Sequence, residues 1–251
     1  MKIILIGTGN VATVLGKLCK RSNHEIVAIA GKSLQNGEKL AHELSSRYIP
    51  MDNLKHTDAD IYIIAVTDSA VELVAREISV PGKLVVHTAG SVSKEVLQYS
   101  SQFFGVLYPL QSLRKEMTHI PDIPFLIDGN NEEATGMLHR FASSISPWVE
   151  FTNDEQRAKL HVAAVFVNNF CNHLYQLAED YCNAENLNFK LLYPLIEETA
   201  TRIRENSPSL LQTGPAIRKD IVTLDKHLRL LSHYPKLKLT YTRLSDSIMN
   251  P

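Results

Sequence analysis

The sequence contains 251 residues with a formal net charge of −1, 44% hydrophobic residues and 21% charged residues. This length suits one large or two modest domains, and the composition is typical of soluble globular proteins. A nearly neutral chain gives no electrostatic reason to expect a nucleic acid or an anionic membrane as a partner. The apolar runs are too short to cross a bilayer, and the first residues show a strand pattern rather than a signal peptide.

Cysteine and histidine spacing argues against disulfides and metal sites. Cys19, Cys171 and Cys182 lie in helical patterns and form no Cys-x-x-Cys pair. We therefore expect reduced, buried thiols and a cytoplasmic protein. No HxxxH or Cys/His set appears, so the sequence predicts no metal site.

The first thirty residues predict a βαβ unit that binds a dinucleotide. The apolar strand Lys2–Ile6 is followed by the turn Gly7-Thr8-Gly9-Asn10-Val11-Ala12, a helix and a second strand at Glu25–Ala30. In such a unit the first glycine permits a sharp turn and the second lets backbone N–H groups approach a pyrophosphate. The small third residue allows close packing of helix on strand. A tight turn without a ligand is the alternative interpretation.

The residues after the second strand favour NADP over NAD. Sites that prefer NAD usually place Asp or Glu there to bind the ribose 2′-hydroxyl, but no acidic residue lies between Ala28 and Gly37. Lys32 and Ser33 instead offer donors to a 2′-phosphate. Alternatively, Lys32 is an ordinary solvated lysine.

Further apolar strands continue the sheet, and polar residues follow several of them. The predicted strands span residues 60–66, 83–90, 103–110, 123–127 and 148–151. Open α/β sheets bind ligands at the C-terminal ends of their strands. We therefore expect the cofactor path to be bordered by Val66, Thr67 and Asp68. By the same argument, the residues predicted to contact substrate are His87, Gln111 and Ser112. The alternative is that these side chains simply cap their loops.

Beyond Asp154 the strand signal disappears and the pattern is helical. We predict an α/β Rossmann-like N-terminal domain with a mostly parallel sheet over residues 1–153. An all-α C-terminal domain over residues 154–251 follows it.

A polar stripe interrupts the long apolar helix predicted from Glu155 to Ala184. On a straight helix, steps of seven and four residues place His161, Asn168 and Asn172 on one face. Imidazole and amide groups there can bind a substrate carbonyl and move a proton during hydride transfer, or can hydrogen-bond a neighbouring domain or subunit. Lys159 points to the side opposite Asn168 and is either a second candidate acid or a solvated lysine.

A second polar cluster lies in the segment Thr213-Gly214-Pro215-Ala216-Ile217-Arg218-Lys219-Asp220. A loop that opens a helix, here predicted over residues 216–232, offers free N–H groups, and Arg218 can hold a carboxylate or phosphate in a bidentate pair. Thr213, Arg218 and Asp220 are therefore candidate substrate-binding residues. A surface pair between Arg218 and Asp220, or an interdomain bridge, is the alternative.

Together these segments resemble a family of NADP oxidoreductases that join a Rossmann-like N-terminal domain to a helical C-terminal domain of unknown function. The resemblance covers essentially the whole chain. Besides the glycine turn, it rests on His87-Thr88-Ala89-Gly90-Ser91, on Tyr108-Pro109-Leu110-Gln111-Ser112, on Lys159-Leu160-His161-Val162-Ala163-Ala164 running to Asn168, and on Thr213-Gly214-Pro215 with Arg218 and Asp220. More distantly, the layout is similar to pyrroline-5-carboxylate reductase and the β-hydroxyacid dehydrogenases.

The resemblance implies that the helical domain supplies the substrate site and a homodimer interface. The β-hydroxyacid dehydrogenases place a lysine and an asparagine one turn apart on the long helix, whereas Ala163 stands four residues after Lys159 here. We therefore expect His161 to donate the proton, Asn168 to orient substrate and Arg218 to clamp an acidic group.

The sequence thus predicts an NADP-dependent oxidoreductase that transfers hydride between nicotinamide and a small carbonyl or imine substrate in an interdomain cleft. Two other functions remain open. One is a non-catalytic NADP-binding sensor or scaffold. The other is a deazaflavin-dependent NADP reductase, which shares the N-terminal layout.

Overall fold

The computed structural model describes residues 1–250, which form two compact units: Met1–Asn168, and Asn169 onward. All β-strands assigned within the described residues lie in the first unit. The sequence prediction placed its boundary at residue 153, where the sheet ends, and this division into functional domains stays a prediction. The compact units divide later, inside the long helical segment.

One eight-stranded sheet organises the first unit. Its strands are β1 Lys2–Ile6, β2 Glu25–Ala30, β3 Tyr48–Ile49, β4 Ile61–Ile64, β5 Leu84–His87, β6 Phe103–Pro109, β7 Phe125–Gly129 and β8 Val149–Phe151. They lie in the order β3-β2-β1-β4-β5-β6-β7-β8. Neighbouring strands are parallel except β6 and β7, which are antiparallel. The predicted Rossmann-like fold with a mostly parallel sheet, followed by a helical region, is confirmed.

Helices cover both faces of the sheet in the first unit and make up the second. The α-helices are α1 Asn10–Arg21, α2 Leu34–Glu43, α3 Asp68–Arg76, α4 Glu132–Ile145, α5 Asp154–Ala164, α6 Cys171–Ala184, α7 Tyr193–Arg202, α8 Pro208–Leu211, α9 Ile221–Leu230 and α10 Pro235–Met249. Short 3₁₀ helices span Met51–His56, Lys94–Leu97 and Phe189–Leu192. Within residues 1–250, no helix combines the length and apolarity needed to span a membrane.

The alternation of side chains along β1 explains the two cores of the first unit. Successive residues of a strand point to opposite faces. Ile3 and Leu5 therefore join a core with α1, α2 and α4, while Ile4 and Ile6 join a core on the face covered by α3. The sheet is buried on both sides, so its strands are continuously apolar in sequence.

The long helix predicted over residues 155–184 is not one straight α-helix. A π-helix, Val165–Phe170, separates α5 from α6. Its backbone bonds run i→i+5, so steps of seven and four residues across it no longer return to the same face. The prediction of one continuous stripe through His161, Asn168 and Asn172 was therefore wrong. His161 lies in α5 and is half-buried, whereas the two asparagines are exposed.

Candidate functional site

The turn between β1 and α1 has the geometry of a phosphate-binding turn. Gly7 has a φ of +128°, and a Cβ built on it would lie 2.1 Å from the carbonyl oxygen of Ala65. Only glycine fits there without strain. A Cβ built on Gly9 would meet no atom within 4 Å, so the space beside Gly9 is open.

The first turn of α1 leaves its backbone donors available. Gly9 is the N-cap residue and has no side chain to accept their hydrogen bonds, and the first turn contains no acidic residue. Free N–H groups and the helix dipole together attract an anion. The open space at Gly9 and these donors fit a dinucleotide pyrophosphate.

A cleft of about 550 Å³ surrounds this turn at the C-terminal ends of β1, β2 and β4. The sheet order changes direction between β1 and β4, which is where open α/β sheets bind nucleotides. The lining consists of Ile6, Gly7, Thr8, Gly9, Asn10, Val11, Gly31, Lys32, Ser33, Met51, Ala65, Val66, Thr67, Ala70 and Val74. Ala12 is fully buried and packs in the core beneath the turn, as expected for the small residue of the motif.

The end of β2 presents the residues predicted to choose the cofactor. Lys32 and Ser33 are exposed and line the cleft. Ser33 caps α2 by accepting a hydrogen bond from the amide of Asn36 at 3.3 Å. Tyr48 donates its hydroxyl to the carbonyl oxygen of Gly31 at 2.8 Å and so fixes the backbone just before Lys32. Sequence reasoning missed Tyr48, whose role depends on the pairing of β2 with β3.

The residues after β4 divide between two places. Val66 and Thr67 line the cleft. Asp68, the first residue of α3, accepts a hydrogen bond from the hydroxyl of Ser91 at 2.5 Å. Asp68 therefore joins the cleft to the loop that follows β5.

A tyrosine–histidine pair lies at the loop after β5. The Tyr108 hydroxyl and His161 Nδ1 are 2.8 Å apart, and the two rings meet edge to face. A Cβ built on Gly90 would lie 3.0 Å from His161 Nδ1 and 3.1 Å from Tyr108 Cε2. Burial, reinforced by the nearby Asp68 carboxylate, raises the pKa of Tyr108. A tyrosine with a raised pKa remains a proton donor at neutral pH.

Tyr108 is the main residue that the sequence analysis did not assign. It stands in the segment that ends β6, and its position near a strand end is the only signal for a role in the sequence. Its partner His161 is 53 positions away in the chain. The pairing depends on the sheet, so no local spacing predicts it.

The other two predicted catalytic residues lie outside this pair. Lys159 is exposed and forms an ion pair with Glu155 one turn earlier on α5, with Nζ and Oε1 2.5 Å apart. Asn168 is exposed within the π-helix. Their catalytic roles stay predictions.

His87, predicted to contact substrate, is completely buried at the end of β5. Its Nδ1 accepts a hydrogen bond from the backbone amide of Ala89 at 3.2 Å. Burial, together with the nearby positive charge of Arg157, lowers the pKa of His87 to about 4. The side chain is therefore neutral and supports the loop from beneath. Gln111 and Ser112, by contrast, are exposed after β6, where the Gln111 side chain accepts the Ser112 amide at 2.9 Å.

The predicted cluster in the second compact unit has a different local structure from that expected. The helix predicted from residue 216 begins only at Ile221, because Gly214 and Lys219 adopt positive φ angles. Asp220 caps that helix through the amide and hydroxyl of Thr223, at 3.0 Å and 2.7 Å. These hydrogen bonds lower the pKa of Asp220. Thr213 and Arg218 are exposed, and their contact with substrate stays a prediction.

Comparison with known proteins agrees with this architecture. Residues 123–248 match the family described as a domain of unknown function, DUF2520. The chain belongs to the DUF2520 family. Residues 2–90 of this DUF2520 protein match a second description, NADP oxidoreductase, coenzyme F420-dependent. The family resemblance inferred from the motifs is thus confirmed.

Two solved structures are similar to the DUF2520 protein over its whole length. BF3122 from Bacteroides fragilis, named as a candidate NADP oxidoreductase, is 37% identical with a TM-score of 0.89, covering 100% of this chain and 98% of its own. The 1-pyrroline-5-carboxylate reductase of Streptococcus pyogenes is 15% identical with a TM-score of 0.63, covering 100% of this chain and 99% of its own. The second likeness shows a shared fold.

A curated relative is similar to the DUF2520 protein over only part of the relative's own length. The DUF2520 protein is 22% identical over 207 residues to glutamyl-tRNA reductase from Methanocaldococcus jannaschii. The match covers 78% of this chain and 52% of that protein, so the chain spans about half the length of this curated relative.

Proposed function

We propose that this protein is an NADP-dependent oxidoreductase that reduces a small carbonyl or imine compound. The observation that carries the proposal is the turn at Gly7 and Gly9, which combines open space, free amide donors and the exposed cation Lys32 in one cleft. The match of residues 2–90 to an NADP oxidoreductase description supports the same cofactor. The likeness of fold to a reductase of pyrroline-5-carboxylate, a cyclic imine, supports the substrate class.

The residues divide the chemistry as follows. The bound cofactor supplies the hydride. The α1 N-terminus would hold the pyrophosphate, and Lys32 with Ser33 would hold the 2′-phosphate. Reduction of a C=O or C=N bond also places a proton on oxygen or nitrogen. Tyr108 and His161 supply that proton, since their hydrogen-bonded pair joins a half-buried hydroxyl to an imidazole that is itself half exposed.

The cofactor assignment is tested by calorimetric titration of NADPH and NADH into the wild-type protein and Lys32→Ala. We expect NADPH to bind more tightly than NADH, and the substitution to weaken NADPH by about tenfold while leaving NADH nearly unchanged. Lys32 is exposed at the cleft surface, so the substitution leaves no buried charge behind. Failure of both nucleotides to bind the wild type would contradict the proposed function.

Turnover is then measured as oxidation of NADPH in the presence of cyclic imines and small ketones. A second candidate, a reductase that exchanges hydride between NADP and reduced deazaflavin, is favoured by the description matched over residues 2–90. A second arm therefore supplies reduced deazaflavin with NADP and follows the formation of NADPH. Activity with reduced deazaflavin alone would show that the deazaflavin, and not an imine or carbonyl compound, is the substrate.

We also propose that a second copy of this chain covers the apolar helices of the second unit. Among the described residues from Asn169 onward, fourteen large hydrophobic side chains are exposed, whereas only Cys182, Ala216, Leu224 and Leu231 are buried hydrophobics. Such a unit lacks a core of its own. Faces of this extent are typical of obligate interfaces, and most soluble oligomers pair identical surfaces about a twofold axis.

Sedimentation of the wild-type protein should therefore give the mass of a dimer. Leu191 and Leu195 are 76% and 64% exposed, and we expect Leu191→Glu with Leu195→Glu to shift the mass toward the monomer and lower the unfolding temperature. Tyr99→Glu, which alters an exposed aromatic residue of the first unit, is the matched control and should remain dimeric. A monomeric wild type at micromolar concentration would refute the dimer.

A further inference from the structure

Arg157 is a buried arginine on the face of α5 that carries His161. The two residues are four positions apart, so their side chains lie one helical turn from each other. Only 1% of the Arg157 surface is exposed. Its Nη2 donates to the carbonyl oxygen of Val92 at 2.5 Å and to Asp154 Oδ1 at 2.8 Å. Arginine is rarely buried to this extent, so the position needs an explanation.

Asp154, the partner of Arg157, also contacts the loop after β5. Its Oδ1 accepts the backbone amide of Lys94 at 3.4 Å. Although burial opposes the charge of this carboxylate, hydrogen bonds from Ser93 and Arg157 lower the pKa of Asp154. Three consecutive loop residues, 92 to 94, are therefore bound to one ion pair at the start of α5.

The other end of the loop reaches the candidate catalytic pair. Gly90 packs against the rings of Tyr108 and His161, and Ser91 bonds to Asp68. Residues 90 to 94 thus follow α5 from His161 back to Asp154. The Asp154–Arg157 pair is the charged contact that fixes this loop against the helix.

Stability alone does not account for this arrangement. Burying a guanidinium costs solvation free energy, and apolar residues of similar size often replace buried ion pairs without loss of stability. Arg157 Nε and Nη1 also have no hydrogen-bond partner among the described residues.

We propose that Arg157 is a positioning residue that holds His161 against Tyr108 and Gly90 by clamping α5 to the loop of residues 90–94. This role rests on the proposed function, since it assigns Arg157 to the pair that delivers the proton. Arg157 acts through His161 and the loop and does not itself touch the reacting atoms.

The pKa of Tyr108 provides a second readout, because it depends on the charges around the hydroxyl group. Burial and the Asp68 carboxylate raise the pKa of Tyr108, whereas the positive charge of Arg157 lowers it. His161, also on α5, is the hydrogen-bonding partner. Removing the Arg157 charge should therefore raise the pKa of Tyr108 further, while Arg157→Lys should keep it close to the wild-type value.

The experiment compares Arg157→Met, Arg157→Lys and Arg76→Met. Arg76 is a matched control because it also pairs with an acid on its own helix, Glu72, but is exposed. For Arg157→Met we expect kcat to fall by about tenfold to a hundredfold, as for a catalytic group displaced by about 1 Å, with the KM for NADPH unchanged. The alkaline limb of the kcat profile should move to higher pH. Arg76→Met should behave as wild type, and Arg157→Lys should recover the pH profile and part of kcat.

Titration of Tyr108 by NMR with ring-labelled tyrosine tests the proposal without turnover, and Tyr108→Phe identifies the signal. A wild type without reductase activity would refute the proposed function, yet loss of the NMR contact between the Tyr108 and His161 rings in Arg157→Met, with that contact kept in Arg76→Met, would still support the clamp. Unchanged kcat and an unchanged Tyr108 titration in Arg157→Met would overturn it. If the single variant does not fold, Asp154→Asn with Arg157→Met removes both charges and is judged by the same two readouts.

Discussion

Gly9→Ala is expected to weaken NADPH binding in a protein that remains folded, whereas Gly7→Ala is expected to destabilise the fold itself. A Cβ at Gly9 enters open space, with no atom within 4 Å apart from Gly9 and its chain neighbours, on the side where the pyrophosphate would lie. The N-cap backbone there is extended, with φ −86°, so alanine fits without strain. We expect an unchanged unfolding temperature and an NADPH Kd raised by about tenfold or more.

Gly7→Ala is expected to act through backbone strain and a steric clash. Alanine at φ +128° is strained, and its Cβ would lie 2.1 Å from the backbone oxygen of Ala65 and 2.8 Å from its carbonyl carbon. These backbone atoms, just beyond the end of β4, cannot move aside as a flexible side chain can. We expect a loss of about 3 kcal/mol or more in the free energy of unfolding, from the strain and the clash together.

Thermal unfolding followed by circular dichroism, combined with NADPH calorimetry, separates the two effects. Gly82→Ala provides a control for backbone strain alone, since Gly82 also has a positive φ, +79°, but a Cβ there meets nothing within 4 Å. Tight NADPH binding by a folded Gly9→Ala protein would show that the phosphate does not lie beside Gly9. A Gly7→Ala protein as stable as Gly82→Ala would show that Ala65 yields to the added methyl group.

Local sequence predicted the phosphate turn because everything it needs is adjacent in the chain. Gly7, Gly9 and Ala12 lie within six residues, and the strand and helix that flank them have clear periodicity. The pairing of Tyr108 with His161 has no such signal, since β6 and α5 meet only through the fold. The same holds for Tyr48 and Gly31, which are joined by the pairing of β3 with β2.

The burial of Arg157 and the π-helix were not predicted because the residue types at these positions give no sign of either feature. An arginine in the first turn of a helix is normally solvated, so Arg157 carried no signal of burial. The π-helix Val165–Phe170 contains no glycine or proline that would mark a break in the helix, and periodicity alone does not show where the hydrogen-bonding pattern changes. The stripe predicted through His161 and Asn168 depended on a straight helix and failed for that reason.

Tyr108→Phe should reduce turnover as severely as His161→Ala, although of these two residues the sequence indicated a role only for the histidine. Phenylalanine keeps the ring that packs beside Gly90 and removes only the hydroxyl that lies 2.8 Å from His161 Nδ1. Loss of a general acid typically costs about 10²- to 10⁴-fold in rate. We expect kcat to fall by that range in both variants, with NADPH affinity unchanged because both residues lie outside the cofactor cleft lining.

The double variant and the pH profile decide whether the two residues act as one unit. Catalytic groups that act together give non-additive losses, so Tyr108→Phe with His161→Ala should be little slower than either single variant. A donor must be protonated to act, and the pKa of Tyr108 is raised by burial and by Asp68. Wild-type kcat should therefore hold through neutral pH and decline only in the alkaline range. Tyr99→Phe, on an exposed tyrosine, is the control for loss of a hydroxyl. A decline of kcat in the neutral range, with Tyr108→Phe fully active, would assign the proton to an imidazole instead.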